Sequence, residues 1–394
     1  MSEDEAGEVG ARVAVWRESR GLTQYVLAKR VHVSYSLLRK VECGERRASP
    51  AFLAAVARTL GVDLEVLVGG GFGEDRLLSL LGPVRTALDV FDLSPDETIR
   101  PRPLPQLESV VRRANRLAQA ADYEPMAAGL PALLGELHAA AHTLTGREQE
   151  RAWGLLAEAA RCGHSVGIAL GLNDLSVAAL ARMDWAAQQA GDLAPGLRSA
   201  REYLRVTAYL RAKDYETCWR LNASGDAYLA GDAPGALVAE GQLHLGASII
   251  AAHTGDRDTM EAHLAEADRI AGVTGEQTQR FWFGFGPTNV AVHRVMALAA
   301  AGEHGQAVDA AHGLRFPADW LPTRVGHHYL DLARAWRWLN RPDEAPDCLW
   351  EARRVAPGQA RRHPLARDTV TALLHTGRRR ATSCSQHVAA CHFR

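Results

Sequence analysis

A chain of 394 residues exceeds what one ordinary hydrophobic core organises, so two or more domains are expected. Its hydrophobic share of 47% is that of a globular protein, and a net charge of −1 gives no overall attraction to nucleic acid. The acidic start Met1-Ser2-Glu3-Asp4-Glu5 is unlike a signal peptide, no run of about 18 apolar residues follows, and six cysteines without a CxxC argue against a disulfide framework or a zinc knuckle.

A soluble, cytoplasmic protein with reduced thiols is the expectation. Its apolar positions lean on Ala and Leu while Ile and Phe are scarce, a balance that suits helices over strands, so the chain reads as all-α.

Residues 9–68 carry five short helical segments, punctuated by Gly21, Thr23, Ser34, Gly44, Ser49-Pro50, Gly61 and Asp63. Thr23, Ser34 and Asp63 are N-cap residue types before apolar-periodic runs, and Ser49-Pro50 sets a cap before a proline at the first helical position. Residues 17–58 hold nine basic side chains against three acidic ones, a local excess of six that makes a small footprint for phosphates. Leu27, Val31, Val33, Leu38 and Val41 supply a miniature core, and Ala28 is small enough for two helices to pack closely. With Leu38 and Val41 turned inward, the outward face of the third helix, about residues 35–43, presents Ser36, Arg39 and Lys40, with Tyr35 at its leading end. Those four can reach base edges, Arg and Lys suiting guanine O6 and N7. Gln24 and Ser34 at helix N-termini, and Arg46 and Arg47 past the Gly44 turn, are placed for phosphates.

The stretch GLTQYVLAKRVHVSYSLLRKVECGERR, residues 21–47, resembles the helix-turn-helix of Cro/CI-type (XRE) regulators. The family pattern is met at Leu22, Thr23, Gln24, Leu27, Ala28, Val33, Ser34, Leu38, Glu42, Gly44 and Arg46, and RRASPAFLAAVARTLGVDLEVLV looks like the closing two helices. The resemblance implies a DNA-binding domain whose third helix enters the major groove. Two positions depart from it. His32 stands where glycine is usual and a positive φ is expected, and Cys43 replaces a common polar residue.

Residues 69–105 read as a hinge and connecting segment. The glycine run at 69–73 has neither a preceding strand nor a following Lys-Ser/Thr, so it is a break rather than a phosphate loop. Apolar residues 77, 78, 81, 84, 88 and 91 follow at helical spacing, with Gly82-Pro83 expected to kink or split that helix. Prolines at 95, 101, 103 and 105 mark a linker.

From 106 to 377 helix follows helix, separated by turns of glycine and an acid: Gly191-Asp192, Gly231-Asp232, Gly255-Asp256, Gly302-Glu303, with Asn340-Arg341-Pro342-Asp343 as a variant. A spacing of about 40 residues between later turns is that of helical-pair solenoids. YLDLARAWRWLNRPDEAPDCLWEARRVAP, residues 329–357, resembles a tetratricopeptide repeat, and HRVMALAAAGEHGQAVDAAHGL is a looser copy. The combination is similar to actinobacterial XRE regulators with helical-repeat effector domains and, by architecture alone, to the peptide-pheromone receptors of the RRNPP group. The basic tail 378–394 lacks an apolar period and is expected to be disordered.

Residues 280–294, RFWFGFGPTNVAVHR, interrupt the Ala/Leu text. Trp282, Asn289 and His293 are candidates for a ligand site, with Trp219 and Asn222 as a second choice, although an irregular loop whose aromatics plug the solenoid core is the favoured explanation of the segment. His327-His328 with Asp331 lacks a third ligand at metal spacing and reads as a packed or solvated helix face. No catalytic or cofactor fingerprint appears, so neither catalysis, a cofactor nor a metal is expected. The sequence thus points to a regulator that reads a double-stranded DNA operator as a homodimer and senses a small molecule or peptide. A repeat scaffold for another protein, keeping a vestigial DNA-binding domain, is the alternative.

Overall fold

A computed structural model describes residues 3–62, 67, 74–229, 235–278, 280–318, 320–341 and 343–377. The fifth helix expected after Asp63, apart from Leu67, the glycine run 69–73, the Gly231-Asp232 turn, Pro342 and the tail 378–394 lie outside these residues. Among the described residues every regular element is helical, save one backbone bridge between Gln277 and Phe285. None of these helices is long and apolar enough to cross a membrane.

The head comprises α1 (Glu3–Ser19), α2 (Gln24–Arg30), α3 (Tyr35–Glu42) and α4 (Pro50–Leu60). Trp16, Leu27, Leu38, Val41, Val56 and Leu60 fill its core. α1 and α3 touch backbone to backbone, because a Cβ on Gly10 would lie 1.9 Å from the Val41 carbonyl oxygen. Three of the expected caps form: Thr23 accepts from the Val26 amide, Ser34 from Leu37 and Ser49 from Phe52, at 3.1–3.2 Å.

The connecting segment splits into α5 (Glu74–Ser79) and α6 (Leu81–Asp89), followed by a 3-10 turn at Val90–Asp92. Gly82-Pro83 opens α6 within its first turn, where the missing proline N–H removes no hydrogen bond, so the pair starts a helix instead of bending one. The proline-rich stretch that follows is strapped down onto the repeats. Arg102 grips Glu136 with Nε at 2.8 Å and Nη2 at 2.6 Å, and the Ile99 side chain occupies the space that a Cβ on Gly135 would need.

Fourteen further helices are described: α7 (Leu104–Gln119), α8 (Tyr123–Thr143), α9 (Gly146–Ala169), α10 (Asn173–Ala187), α11 (Ala194–Ala212), α12 (Tyr215–Ala227), α13 (Ala236–Thr254), α14 (Arg257–Thr274), α15 (Pro287–Ala300), α16 (His304–Ala311), α17 (Pro322–Trp338), α18 (Ala345–Val355), α19 (Pro357–Arg362) and α20 (Pro364–Gly377). Consecutive helices pair as hairpins, α9 with α10, α11 with α12, and so on to α17 with α18, and α11, α13, α15 and α17 stack in turn.

The Gly255-Asp256 turn shows how a glycine and an acid can join two helices. Gly255 ends α13 in the left-handed region at φ 77°, and Asp256 then caps α14 by accepting from the Thr259 amide at 3.0 Å. Asn340 does the glycine's work at φ 57°. The last helices return to the first: a Cβ on Gly358 would meet the Ala121 carbonyl oxygen at 2.2 Å.

Candidate nucleic-acid interface

The turn between α2 and α3 is tight because His32 adopts the left-handed conformation expected of it, at φ 55°. α3 then presents Tyr35, Ser36, Arg39 and Lys40 to solvent while Leu38 and Val41 are fully buried. Tyr35 is 48% exposed, too much for a core aromatic, and Tyr25 beside it is 67% exposed. Arg46 and Arg47 are exposed beyond the end of the same helix, with the Arg46 amide bonded to the Lys40 carbonyl at 3.0 Å. Tyr25 and Tyr35 rim an open cleft of about 730 Å³ that also meets Thr23 and Gln24.

Beneath this face lies a buried network that the sequence reading did not anticipate. Arg17, 7% exposed, donates from Nε to Glu42 Oε1 at 2.8 Å and from Nη2 to Oε2 at 2.9 Å, and from Nη1 to the Leu22 carbonyl at 2.9 Å. Gln24 donates to Glu42 Oε2 at 2.7 Å. The Glu42 bond raises the Arg17 pKa against the opposing effect of burial. Gln24, assigned to a phosphate, thus has its amide partly committed inside the domain, and Ser34 spends its hydroxyl as a cap. The signal for the network was Glu42 in the family pattern, whose partner 25 residues upstream no local period reveals.

The second set of candidates sits deep in the helical repeats. Asn289 and His293, adjacent on α15, are 0% exposed, and Asn289 Nδ2 donates to Gln242 Oε1 at 3.2 Å. His293 Nδ1 lies 2.9 Å from the Asn289 carbonyl, which makes that nitrogen the donor, and burial pushes the ring's pKa down to about 3. Asn289 Oδ1, His293 Nε2 and the Trp282 indole N–H make no hydrogen bond. Trp282 is 7% exposed, under the Arg161 guanidinium at 4.6 Å. The aromatics of this segment plug gaps left by glycines, Phe281 against Gly196 and Phe285 against Gly241, where added Cβ atoms would lie 2.2 and 2.1 Å away. Trp219 and Asn222 are half-buried on α12, the Trp219 ring 5.9 Å from that of His263.

His327 Nε2 stands 3.5 Å from Asp331 Oδ2, a packed pair on α17. Glu240, His244 and Glu266 bring potential ligand atoms within 4.8 Å of one another across α13 and α14, a half-buried grouping that the sequence reading did not pick out.

Residues 8–68 match a family model described as a helix-turn-helix domain. The head is a helix-turn-helix domain. Among solved structures, Bacillus thuringiensis PlcR in complex with the peptide PapR7 and DNA is 16% identical, with 91% of this chain and 99% of that chain covered and a TM-score of 0.31. A comparison with curated proteins gives no match. In the helix-turn-helix domain, α3 is the helix that follows the turn, and its exposed edge carries Arg39 and Lys40.

Proposed function

We propose that the protein is a cytoplasmic transcription regulator rather than an enzyme, binding a partly palindromic operator as a homodimer through residues 9–68. The observation that carries this reading is the solvent-facing set Tyr35, Ser36, Arg39 and Lys40, held on a helix whose other side is locked into the core. Base edges are contacted from that set, and Gln24, Ser34, Arg46 and Arg47 hold the phosphates, Gln24 through its remaining N–H and Ser34 through its backbone amide at the helix start. Two heads are needed because one small helix-turn-helix buries little surface, and half-sites lie roughly 34 Å apart.

Residues 69–105 connect this head to an effector domain spanning 106–377, which senses a small molecule or short peptide. Trp282, Asn289 and His293 form one candidate contact set, supported by three buried polar atoms without partners, and Trp219 with Asn222 another. Asn289 and His293 are fully buried, so access to them requires α13 and α15 to part.

The test is titration of the full chain against its own upstream DNA and unrelated DNA at 50 and 200 mM salt. Preference for the former with steep weakening in salt is expected. Equal binding to both would overturn the reading in favour of a repeat scaffold.

A further inference from the structure

α6, the turn after it, α8, α9 and α10 enclose a cavity of about 520 Å³, within the range of small-molecule sites. Leu88, Leu134, Leu156 and Ala160 give it apolar walls. One end is an aromatic corner, where the Phe91 and Trp185 rings meet edge to face at 5.0 Å and the His138 ring stands 6.1 Å from Trp185.

Two polar groups in this wall are left with capacity to bind. Arg182 stacks its guanidinium 3.5 Å over Phe91 and donates from Nε to the Leu88 carbonyl at 2.7 Å, and it has no ion pair among the described residues. His138 Nε2 is buried without a hydrogen bond. Burial and neighbouring His142 hold the His138 pKa down, against a raising effect of the Phe91 carbonyl, so the ring is neutral near pH 7. Asp96, at the exposed mouth, turns Oδ1 to the Thr98 amide and hydroxyl at 2.8 and 2.7 Å and leaves the Arg182 charge uncompensated. An uncompensated cation beside aromatic rings and a free imidazole nitrogen suits a flat apolar body bearing an acidic oxygen group.

The same helix that walls the cavity also holds the head. α6 contributes Pro83, Thr86 and Ala87 to the lining, and between them Arg85 donates from Nη1 to Asp174 Oδ2 at 2.6 Å. The other oxygen of that carboxylate accepts from Arg20 of the head at 2.8 Å. One aspartate at the start of α10 therefore ties head, connecting helix and repeats together.

We propose that this cavity binds a planar, mainly apolar molecule with one anionic oxygen group, and that occupancy tightens the Arg85–Asp174–Arg20 clamp on the head. A ligand that fits the cavity as it stands prefers the arrangement in which α6 is seated, and so stabilises that arrangement. The regulatory half rests on the reading of residues 8–68 as a DNA-binding head, and the binding half does not.

The experiment uses the full chain and two dyes, 1-anilinonaphthalene-8-sulfonate and its uncharged analogue N-phenyl-1-naphthylamine. Both are expected to bind saturably at one equivalent, and Ala87→Trp, which fills the cavity from α6, abolishes both. Arg182→Gln weakens the sulfonate dye by at least about tenfold and leaves the uncharged dye within about twofold, a difference that loss of folding could not produce. Non-saturable binding, or binding untouched by both substitutions, overturns the site. Hydrogen exchange then reads the clamp: dye slows exchange at residues 17–30 in the native chain but not in Asp174→Asn, which still binds dye. Unchanged exchange in the native chain overturns the coupling while leaving the site. A chain that binds dye yet shows no DNA preference refutes the regulator reading alone.

Discussion

The two regions of this chain place their polar residues in opposite ways. Among the described side chains of the head, Arg17 and Glu42 form a buried ion pair, Arg20 is half-buried, and Lys29, Arg30, Arg39, Lys40, Arg46 and Arg47 are exposed. The repeats bury His164, His293 and His328 at 5%, 0% and 3% exposure, along with Asn289, Gln242 and Asp331. A small domain with few core positions must spend them on hydrophobes, whereas a long stack of helices has interior to spare for neutral imidazoles. The exposed charge of the head thus faces solvent, while the buried histidines of the repeats are held uncharged by burial.

Acid separates the two regions most strongly. His164 and His293 are depressed by burial to about 3 and His328 to about 4, below the ordinary value of 6.5. A histidine with a lowered folded pKa contributes stability above its unfolded pKa and loses it as pH falls, because the unfolded state takes up the proton first. Asp331 runs the other way: burial raises its pKa to about 6, so protonation favours the fold as pH drops below that value. His327 and His363 are lowered as well and Glu158 is raised with Asp331, so the lowered histidines outnumber the raised carboxyls and the repeats should lose stability between pH 7 and pH 5. Thermal unfolding of the full chain at pH 7, 6 and 5 checks this. His328→Phe should flatten the dependence, and a Tm indifferent to pH would show that the buried rings find other partners.

Within the head the largest effect belongs to the buried Arg17–Glu42 ion pair. Glu42→Ala leaves the Arg17 guanidinium with only the exposed Glu18 carboxylate, 3.1 Å away, as a charge partner and should destabilise the domain by about 3 kcal/mol, whereas Arg17→Met combined with Glu42→Leu should recover most of that. Leu38→Ala, by opening the core, should cost about 2–5 kcal/mol. Hydrogen exchange at α1 to α3 in the full chain reads all three variants. A double variant as unstable as Glu42→Ala would mean that the pair does more than neutralise itself.

What was legible in the sequence follows the same division. Thr23, Ser34 and Ser49 act on amides three residues away, and His32 acts on its own backbone, so the caps and turn of the head were readable along the chain. Arg17 with Glu42, and Arg20 with Asp174 and Arg85, join positions 25 to 154 residues apart, and nothing in a local pattern announces them. The aromatics of residues 280–294 were visible as an anomaly, but that Phe281 and Phe285 press into Gly196 and Gly241 depends on which helices stack. Gly82-Pro83 was recognised as a break, and its position at the opening of α6 came from Leu80 ending the previous turn.

The finest test asks whether the exposed edge of α3 works as the contrast between regions requires. Arg39 and Lys40 follow the fully buried Leu38 directly in the chain but project into solvent, so shortening either side chain removes charge and reach without touching the core. Arg39→Ala or Lys40→Ala should therefore leave the Tm of the full chain unchanged while weakening operator binding by about 1–3 kcal/mol. The two kinds of contact are distinguishable. Loss of a base contact relaxes preference at one operator position, while loss of a phosphate contact weakens all sequences alike and lowers the salt slope by about one. Arg46→Ala and Arg47→Ala, beyond the end of α3, belong to the second kind and should show the smaller loss in preference. Full operator affinity with unchanged preference in both Arg39→Ala and Lys40→Ala would remove α3 from the recognition role, and would leave the head's surface charge without the partner that its placement implies.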